Sequence, residues 1–201
     1  MILKVGADPF PPYQYYENGE LLGTDYEMVN GIINKMGYNS EYILDDWSTI
    51  EEMLLDKKID VAFQVQKTPE RLEKYYFSDL FRNAITTLVS ISNTVDSINE
   101  IVNKKLLVSV VSGYKYGDII DSLPEGCKHY CNDQLDQLKS LIDQKSNFAV
   151  VDLGVFEYQL NLFEDVQFNM LRHLDFNRPL HVVFNDKGLR DEFNTAMSIT
   201  K

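Results

Sequence analysis

The sequence lacks most of the residues on which disulfide frameworks and zinc sites depend. It contains only two cysteines and three histidines in 201 residues. Cys127 and Cys131 lie in a segment typical of a strand, where four residues span about 13 Å, whereas disulfide-linked Cα atoms lie about 4.4–6.8 Å apart. Zinc needs about four ligands, and His129 is the only further candidate nearby. We therefore expect neither a disulfide nor a metal site.

Positive charge is also scarce. The chain contains 19 Lys and Arg residues and 31 Asp and Glu residues, which gives a formal net charge of −12. No lysine- or arginine-rich stripe is present that could neutralise phosphates, so nucleic acid is not an expected partner. The 44% hydrophobic and 25% charged residues are typical of an ordinary folded chain. No apolar run approaches the roughly 18 residues of a membrane helix, so we expect the chain as given to be soluble.

The motifs of common enzyme classes are missing as well. The sequence has no Gly-x-Gly-x-x-Gly, P-loop, His-Glu-x-x-His or Gly-x-Ser-x-Gly motif, and its histidines are scattered. We therefore predict no catalytic residue and no cofactor.

Hydrophobic periodicity in the first ninety residues alternates between strand and helix. Ser48 and Glu51 form the pattern of a capping box for the second helix. Such alternation predicts an α/β layer with a largely parallel sheet. The predicted elements are a strand at 2–6, a helix at 25–36, a strand at 38–44, a helix after Ser48 and a strand at 60–63.

The pattern restarts at residue 106, which indicates a second α/β unit. Two apolar, β-branched runs at 84–91 and 179–184 are predicted to be strands that cross between the units. We predict a first lobe of residues 1–88 plus 179–201 and a second lobe of residues 89–178. The predicted elements after the first crossing are strands at 106–111, near His129 and at 148–151, and helices at 114–123, 134–142, 154–162 and 189–197.

Polar residues follow the predicted strand at 60–63, at the carboxyl edge where ligands of α/β sheets gather. Arg71 lies one turn into the following helix, where a guanidinium can clamp a carboxylate through two hydrogen bonds. The alternative is a surface arginine paired with Glu70 or Glu73. The candidate residues of this segment are Gln64, Gln66, Thr68 and Arg71.

The second unit offers a carboxylate in a similar position. Asp152 follows the predicted strand at 148–151 and is either a receptor for an ammonium group or the N-cap of the next helix. Gly113 and Tyr114 precede a predicted helix whose first N–H groups could bind an anion, although a simple cap is the alternative. Phe10, Tyr13 and Trp47 stand beside strand ends, either to stack on a solute or as core residues.

Five segments together resemble the extracellular solute-binding proteins of the amino-acid type, which are Venus-flytrap modules of bacterial uptake systems. The resemblance covers essentially the whole chain. The segments are Asp8-Pro9-Phe10-Pro11-Pro12-Tyr13, Gly19-Glu20-Leu21-Leu22-Gly23-Thr24-Asp25-Tyr26-Glu27-Met28, Lys58-Ile59-Asp60-Val61, Thr68-Pro69-Glu70-Arg71 and Tyr76-Phe77-Ser78.

The resemblance implies a two-lobed, type II periplasmic-binding-protein-like α/β fold with two hinge crossings and a ligand in the cleft. It implies that Arg71 grips the ligand α-carboxylate and that Asp152 takes the α-amino group. Phe10 and Trp47 match side-chain-pocket positions, and Asp25 matches a position expected to be structural. The complete set of implied or candidate ligand-binding residues is Phe10, Tyr13, Trp47, Gln64, Gln66, Thr68, Arg71, Gly113, Tyr114 and Asp152.

The chain departs from the usual pattern around the expected pocket. Gln64 and Gln66 stand where small residues are usual, and Gly113-Tyr114-Lys115 replaces a Gly-Thr-Thr type of loop. The resemblance implies binding of an amino acid or related carboxylate for ABC-type uptake, with a membrane permease as partner and a periplasmic or extracytoplasmic location. The alternatives are the sensing domain of a histidine kinase or diguanylate cyclase, which the end at Lys201 would suit, and a dehydratase-like enzyme.

Overall fold

The structure, a computed structural model, describes residues 1–199 and divides the chain into two compact units. The first unit consists of Met1–Asn83 with Pro179–Lys201, and the second of Ala84–Arg178. The chain crosses from one unit to the other within two strands, β7 (Arg82–Ser90) and β12 (Phe176–Phe184). The apolar runs at 84–91 and 179–184 form most of these strands. The lobe boundary expected at residue 88 lies within β7.

The sheet of the first unit contains three parallel neighbouring strands. β1 (Ile2–Ala7) pairs in parallel with β4 (Asn39–Leu44) on one side and with β5 (Val61–Val65) on the other, and β12 pairs antiparallel with β5. The remaining elements of this unit are β2 (Tyr15–Glu17), β3 (Glu20–Leu22), α1 (Thr24–Lys35), α2 (Trp47–Leu55), α3 (Pro69–Leu72), β6 (Tyr76–Phe77) and α8 (Lys187–Ser198).

The core of the first unit forms where helices cover the parallel strands. Phe63 of β5 is fully buried with Ile33 of α1 and Phe193 of α8. Burial of such a side chain stabilises the fold by about 1.5–3 kcal/mol. This covering explains why the strand sequences are apolar runs, because parallel strands are buried on both faces.

The second unit repeats this arrangement with its own sheet. β8 (Val108–Val111) pairs in parallel with β9 (Lys128–Cys131) and β10 (Phe148–Asp152), and β10 pairs antiparallel with β7. The remaining elements are α4 (Ile98–Asn103), α5 (Asp118–Asp121), α6 (Gln134–Ile142), α7 (Leu153–Gln159), β11 (Asn169–Met170) and short 3-10 helices at Glu125–Cys127, Leu160–Leu162 and Arg172–Leu174.

Two local predictions in the first unit are wrong. α2 begins at Trp47 with Asp46 as its N-cap, so Ser48 and Glu51 do not form its capping box. Ser48 and Thr49 both donate hydrogen bonds to the Asp46 carboxylate, which lowers the pKa of that group to about 2. β5 continues to Val65, so Gln64 lies inside the strand rather than after it.

One predicted helix start in the second unit is also wrong. Ser112 and Gly113 form a turn, residues 114–117 are irregular, and α5 begins only at Asp118 with Gly117 as its N-cap. The helix predicted from residue 114 is therefore confined to four residues. The N–H group of Tyr114 donates to the carbonyl oxygen of Val111 at 3.1 Å and closes the turn.

Both cysteines are buried and free. Of the helices within residues 1–199, none combines the length and apolar character required to cross a membrane.

Candidate functional site

The parallel strands of the first unit place the predicted residues at one edge of its sheet. β4, β1 and β5 all end at this edge because they run in the same direction. Trp47 follows β4, the loop with Phe10 and Tyr13 follows β1, and Arg71 follows β5. Carboxyl edges of parallel strands are the usual location of ligands in α/β folds.

Arg71 is the centre of a first group of side chains, the Arg71 cluster, with Trp47, Glu51 and Gln66. Its side chain is 7% exposed, and its Nε donates to Oε1 of Glu51 at 3.0 Å. Its Nη1 donates to the carbonyl oxygen of Gln66 at 3.4 Å, and the guanidinium carbon lies 5.1 Å from the centroid of the Trp47 ring. Arg71 is therefore buried and paired with Glu51, whereas Glu70 pairs with Lys74.

Two buried donors belong to the same region. Nε1 of Trp47 and Oη of Tyr75 have no hydrogen-bond partner within residues 1–199. Burial and the nearby charge of Glu51 raise the pKa of Tyr75 to about 12, so its phenol is a neutral donor at physiological pH. Buried donors without partners are rare in proteins and are candidates for ligand contacts.

Thr68 supports Arg71 through the backbone. Its Oγ1 accepts a hydrogen bond from the backbone N–H of Arg71 at 3.2 Å, which makes Thr68 the N-cap of α3. Pro69 at the first helical position suits this start, because its missing N–H would have no partner there. The hydroxyl group of Thr68 thus stabilises the helical turn that contains Arg71.

A second group, the Asp25 cluster, consists of Tyr13, Gln14, Asp25, Gln64 and Arg82. Oδ2 of Asp25 accepts from Nε2 of Gln64 at 2.8 Å and from Nε of Arg82 at 3.0 Å. The Arg82 guanidinium lies 3.7 Å from the centroid of Tyr13. Gln64 adopts a φ of 63°, and its amide also donates to Gln14 at 2.7 Å. The Tyr13 ring stacks in turn on Phe10, with the two centroids 5.9 Å apart.

Asp152 anchors a third group, the Asp152 cluster, in the second unit. It ends β10 and caps α7, because its Oδ1 accepts from the backbone N–H groups of Gly154 and Val155 at 3.0 and 3.2 Å. The side-chain amide of Gln134 exchanges two hydrogen bonds with the Asp152 backbone. Oδ2 of Asp152 lies 3.7 Å from Nη2 of Arg178, and both side chains are nearly inaccessible to solvent. Asp152 is therefore the N-cap of α7 through Oδ1.

Gly113 and Tyr114 lie after β8, at the same carboxyl edge of the second sheet as Asp152. Gly113 has a φ of 76°, a conformation that glycine adopts without strain. Because α5 begins only at Asp118, these residues provide no helix terminus for an anion. Together with Tyr116, Lys115 and Lys128 they line a cavity of about 190 Å³.

Sequence reasoning missed four residues of these clusters as functional candidates. Glu51 had a detectable signal, because it stands four residues after Trp47 on the same face of α2. Gln14, Arg82 and Arg178 gave no signal, since their partners are distant in sequence. Asp25, expected to be structural, is buried and hydrogen-bonded by two residues of this unit.

No group of three or more His, Cys, Asp or Glu side chains within residues 1–199 is arranged to hold a metal ion.

The fold and these clusters define the class of protein. Two α/β units joined by two crossing strands, with charged and aromatic side chains at the carboxyl edges, form the two-lobed type II fold of periplasmic binding proteins. The chain belongs to the bacterial extracellular solute-binding proteins, family 3, because the sequence model of that family matches residues 3–201.

Solved structures show the same fold. An ancestral arginine-binding protein bound to arginine aligns over 99% of this chain and 92% of its own, with a TM-score of 0.86 and 21% identity. The arginine-, lysine-, histidine-binding protein ArtJ from Geobacillus stearothermophilus aligns over 100% and 89%, with a TM-score of 0.85 and 15% identity.

Curated relatives are amino-acid-binding proteins. A probable amino-acid ABC transporter-binding protein of Haemophilus influenzae is 28% identical over 163 residues, which cover 78% of this chain and 62% of the relative. The arginine-binding extracellular protein ArtP of Bacillus subtilis is 27% identical over 114 residues, which cover 56% and 44%. The chain thus matches less than two thirds of the length of either relative.

Proposed function

We propose that this protein binds an amino acid or a related small carboxylate and presents it to an ABC-type membrane permease. The observation that carries the proposal is the buried Arg71, held by α3 at the carboxyl edge of the first sheet with Trp47 beside it. A guanidinium in this setting recognises a carboxylate through paired hydrogen bonds. In this proposal the carboxylate replaces or joins Glu51 as a partner of the guanidinium.

The ligand-binding residues form two sets, one in each unit. In the first unit, Arg71 receives the carboxylate, and Trp47, Phe10 and Tyr13 contact the apolar part of the solute. In the second unit, Asp152 receives the ligand amino group. The Gln64 amide is committed to Gln14 and Asp25, so it holds the surrounding side chains in place.

Delivery to a permease rests on the relatives. The curated relative from Haemophilus influenzae is described as an ABC transporter-binding protein, and the family consists of extracellular solute-binding proteins. We accordingly propose a periplasmic or extracytoplasmic location. Uptake of the bound solute by cells that carry the permease, lost on deletion of this protein, would separate transport from a role in sensing.

A thermal-shift screen against the standard amino acids and small carboxylates tests the binding proposal. A ligand present at about 100 times its Kd adds about 2.7 kcal/mol of stability, which corresponds to a Tm increase of roughly 5–10 °C for a chain of this size. We expect such a shift with at least one amino acid or small carboxylate. No shift across the whole panel would contradict the proposal.

Substitution of the Arg71–Glu51 pair tests whether Arg71 binds the ligand carboxylate. The double variant Arg71→Gln, Glu51→Gln removes both charges and leaves no uncompensated buried ion. We expect it to weaken carboxylate binding about 100-fold, because two charge-assisted hydrogen bonds are lost. Lys74→Gln is the matched control, since Lys74 is exposed and pairs with Glu70. Equal affinities of the double variant and the control would rule out Arg71 as the carboxylate receptor.

A further inference from the structure

The second unit contains a polar cavity that shares no residue with the three clusters described above. Its volume is about 790 Å³, within the range of about 300–1,000 Å³ that is typical of small-molecule sites. Asn147 lines the cavity and directly precedes β10, whereas Asp152 is the last residue of that strand. Ile91, which follows the antiparallel strand β7, lines it as well. Five residues of extended chain span about 16 Å, so the cavity and Asp152 lie at opposite ends of β10.

Several hydrogen-bonding groups of the cavity remain open to a ligand. Oδ1 of Asn147 accepts the N–H of Leu107 at 2.8 Å, and Nδ2 of Asn169 donates to the carbonyl oxygen of Ile91 at 2.8 Å. The other polar atom of each amide makes no hydrogen bond within the described part of the chain. Ser146 also lines the cavity, and its hydroxyl has no partner within residues 1–199 although the residue is only 7% exposed. Buried hydroxyls are normally hydrogen-bonded, so this one is suited to a ligand contact.

The charge of the cavity disfavours anions. Of the described residues that line it, Asp165 alone is charged, and it is exposed to solvent. An anionic group would lose hydration and approach a carboxylate, with no lysine or arginine among those lining residues to compensate. Hydroxyl groups, in contrast, can donate to carboxylate and carbonyl oxygens and accept from amide N–H groups. The apolar side chains of the lining, which suit the C–H groups of a sugar ring, are Ile91, Leu141, Ile142 and Val166.

Gln144 contributes a side chain to the cavity from a position where helices usually have glycine. It follows Asp143, the C-cap of α6, and has a φ of 58°. Its backbone N–H donates to the carbonyl oxygen of Leu141 at 3.1 Å and closes the end of the helix. Glycine adopts this left-handed conformation without strain, whereas a residue with a Cβ does not. Gln144 therefore adds an amide to the cavity at a cost in stability.

We propose that this cavity is a second binding site, which takes a neutral sugar of one or two rings. The side-chain amides of Gln144, Asn147 and Asn169 pair with the sugar hydroxyl groups, which both donate and accept. The Asp165 carboxylate accepts from further hydroxyl groups of the sugar. This inference goes beyond the proposed function, because sugar binding here uses none of the residues proposed to hold the carboxylate ligand.

Titration of the ¹⁵N-labelled protein, followed by NMR, tests the site with glucose, N-acetylglucosamine and maltose as probes. We expect at least one of them to bind with a Kd of about 1 mM or lower and to shift the resonances of residues that line the cavity. The phosphorylated form of the same sugar should bind at least about tenfold more weakly, because it is an anion. Absence of binding by all three sugars, or equal binding of the phosphorylated form, would overturn the inference.

Gln144→Gly separates the loss of a ligand contact from a loss of folding. Glycine relieves the left-handed conformation, so the Tm should be no lower than that of the wild type. The Kd of the sugar should rise about tenfold, because a hydrogen-bonding amide is removed. Lys105→Gly is the matched control, since Lys105 is exposed, follows the C-cap of α4 and has a φ of 52°, yet does not line the cavity. The same sugar Kd in both variants would contradict the proposed site.

The double variant Arg71→Gln, Glu51→Gln distinguishes sugar binding at this cavity from binding at the Arg71 cluster. It should keep the wild-type affinity for the sugar while its affinity for the carboxylate ligand falls. Loss of sugar binding in this variant would place the sugar at the Arg71 cluster and overturn the inference. A thermal-shift screen without any response to amino acids or small carboxylates would instead contradict the proposed function alone.

Discussion

At the scale of single residues, three largely buried arginines each lie beside a carboxylate. Arg71 pairs with Glu51 and Arg82 with Asp25, both at 3.0 Å, while Arg178 lies 3.7 Å from Asp152. A buried ion pair contributes little net stability, but loss of one member leaves an uncompensated charge. These pairs therefore fix the position of the charges at the carboxyl edges at little net gain in stability.

Asp25→Ala is expected to destabilise the protein strongly. The Asp25 carboxylate accepts from both Gln64 and Arg82, so alanine removes two hydrogen bonds and the counter-charge of a largely buried guanidinium. We expect urea unfolding to show a loss of about 3–5 kcal/mol in the free energy of unfolding. Asp56→Ala, which removes a surface partner of Lys58, should cost at most about 1 kcal/mol. Equal losses in the two variants would show that the Asp25 cluster is not a structural unit.

At the scale of elements, the loop after β1 is fixed by its contact with the start of α1. Gly23 is the N-cap of α1, and its φ of 125° favours glycine. The N–H groups of Asp25 and Tyr26 donate to the carbonyl oxygen of Tyr13 at 2.9 and 3.1 Å. This close approach positions the Tyr13 ring against Arg82.

Gly23→Ala tests that contact. A Cβ at this position would overlap the carbonyl group of Tyr13 and the backbone nitrogen of Gln14, so the loop must move. We expect a loss of about 2–5 kcal/mol from strain and overpacking, and weaker ligand binding because Tyr13 is displaced. Gly19→Ala is the control, since Gly19 has a φ of 84° but open space around it. It should cost about 1 kcal/mol and leave binding unchanged; the opposite order of the two losses would refute this account.

The elements with clean periodicity could be predicted from the sequence. α6 has the predicted limits, Gln134–Ile142, because its buried face recurs at helical spacing. The helix predicted from residue 114 is wrong, because residues 114–117 are irregular and the hydroxyl of buried Tyr116 accepts the N–H of Val111, five residues earlier. The spacing of hydrophobic residues does not reveal that hydrogen bond.

The candidate site was predictable from the sequence only in part. Asp152 and Arg71 could be proposed because Asp152 ends an apolar strand and Arg71 follows another apolar strand after a short loop, positions that are visible in the sequence. Their partners Glu51 and Arg178 could not, because a pairing between distant segments depends on how the elements are folded together. The sequence thus indicates candidate ligand-binding groups, whereas the ion pairs that they form are visible only in the structure.

At the scale of the whole molecule, the dominant electrostatic feature is the net charge of −12. Mutual repulsion among carboxylates opposes the compact state, and it acts over distances that salt screens. The buried pairs Arg71–Glu51 and Arg178–Asp152 act over short distances in protected surroundings, where salt has much less effect. Salt should therefore weaken the repulsion more than it weakens these attractions.

We accordingly expect the Tm to rise as NaCl is increased from about 10 mM, where the screening length is about 30 Å, to about 150 mM, where it is about 8 Å. Differential scanning calorimetry of the ligand-free protein at pH 7 measures the change. Sucrose at matched osmolality is the control, because it stabilises through exclusion from the surface and does not screen charge. A fall in Tm with NaCl would mean that attraction between opposite charges outweighs the repulsion, so that the ion pairs would stabilise the fold as well as position its charges.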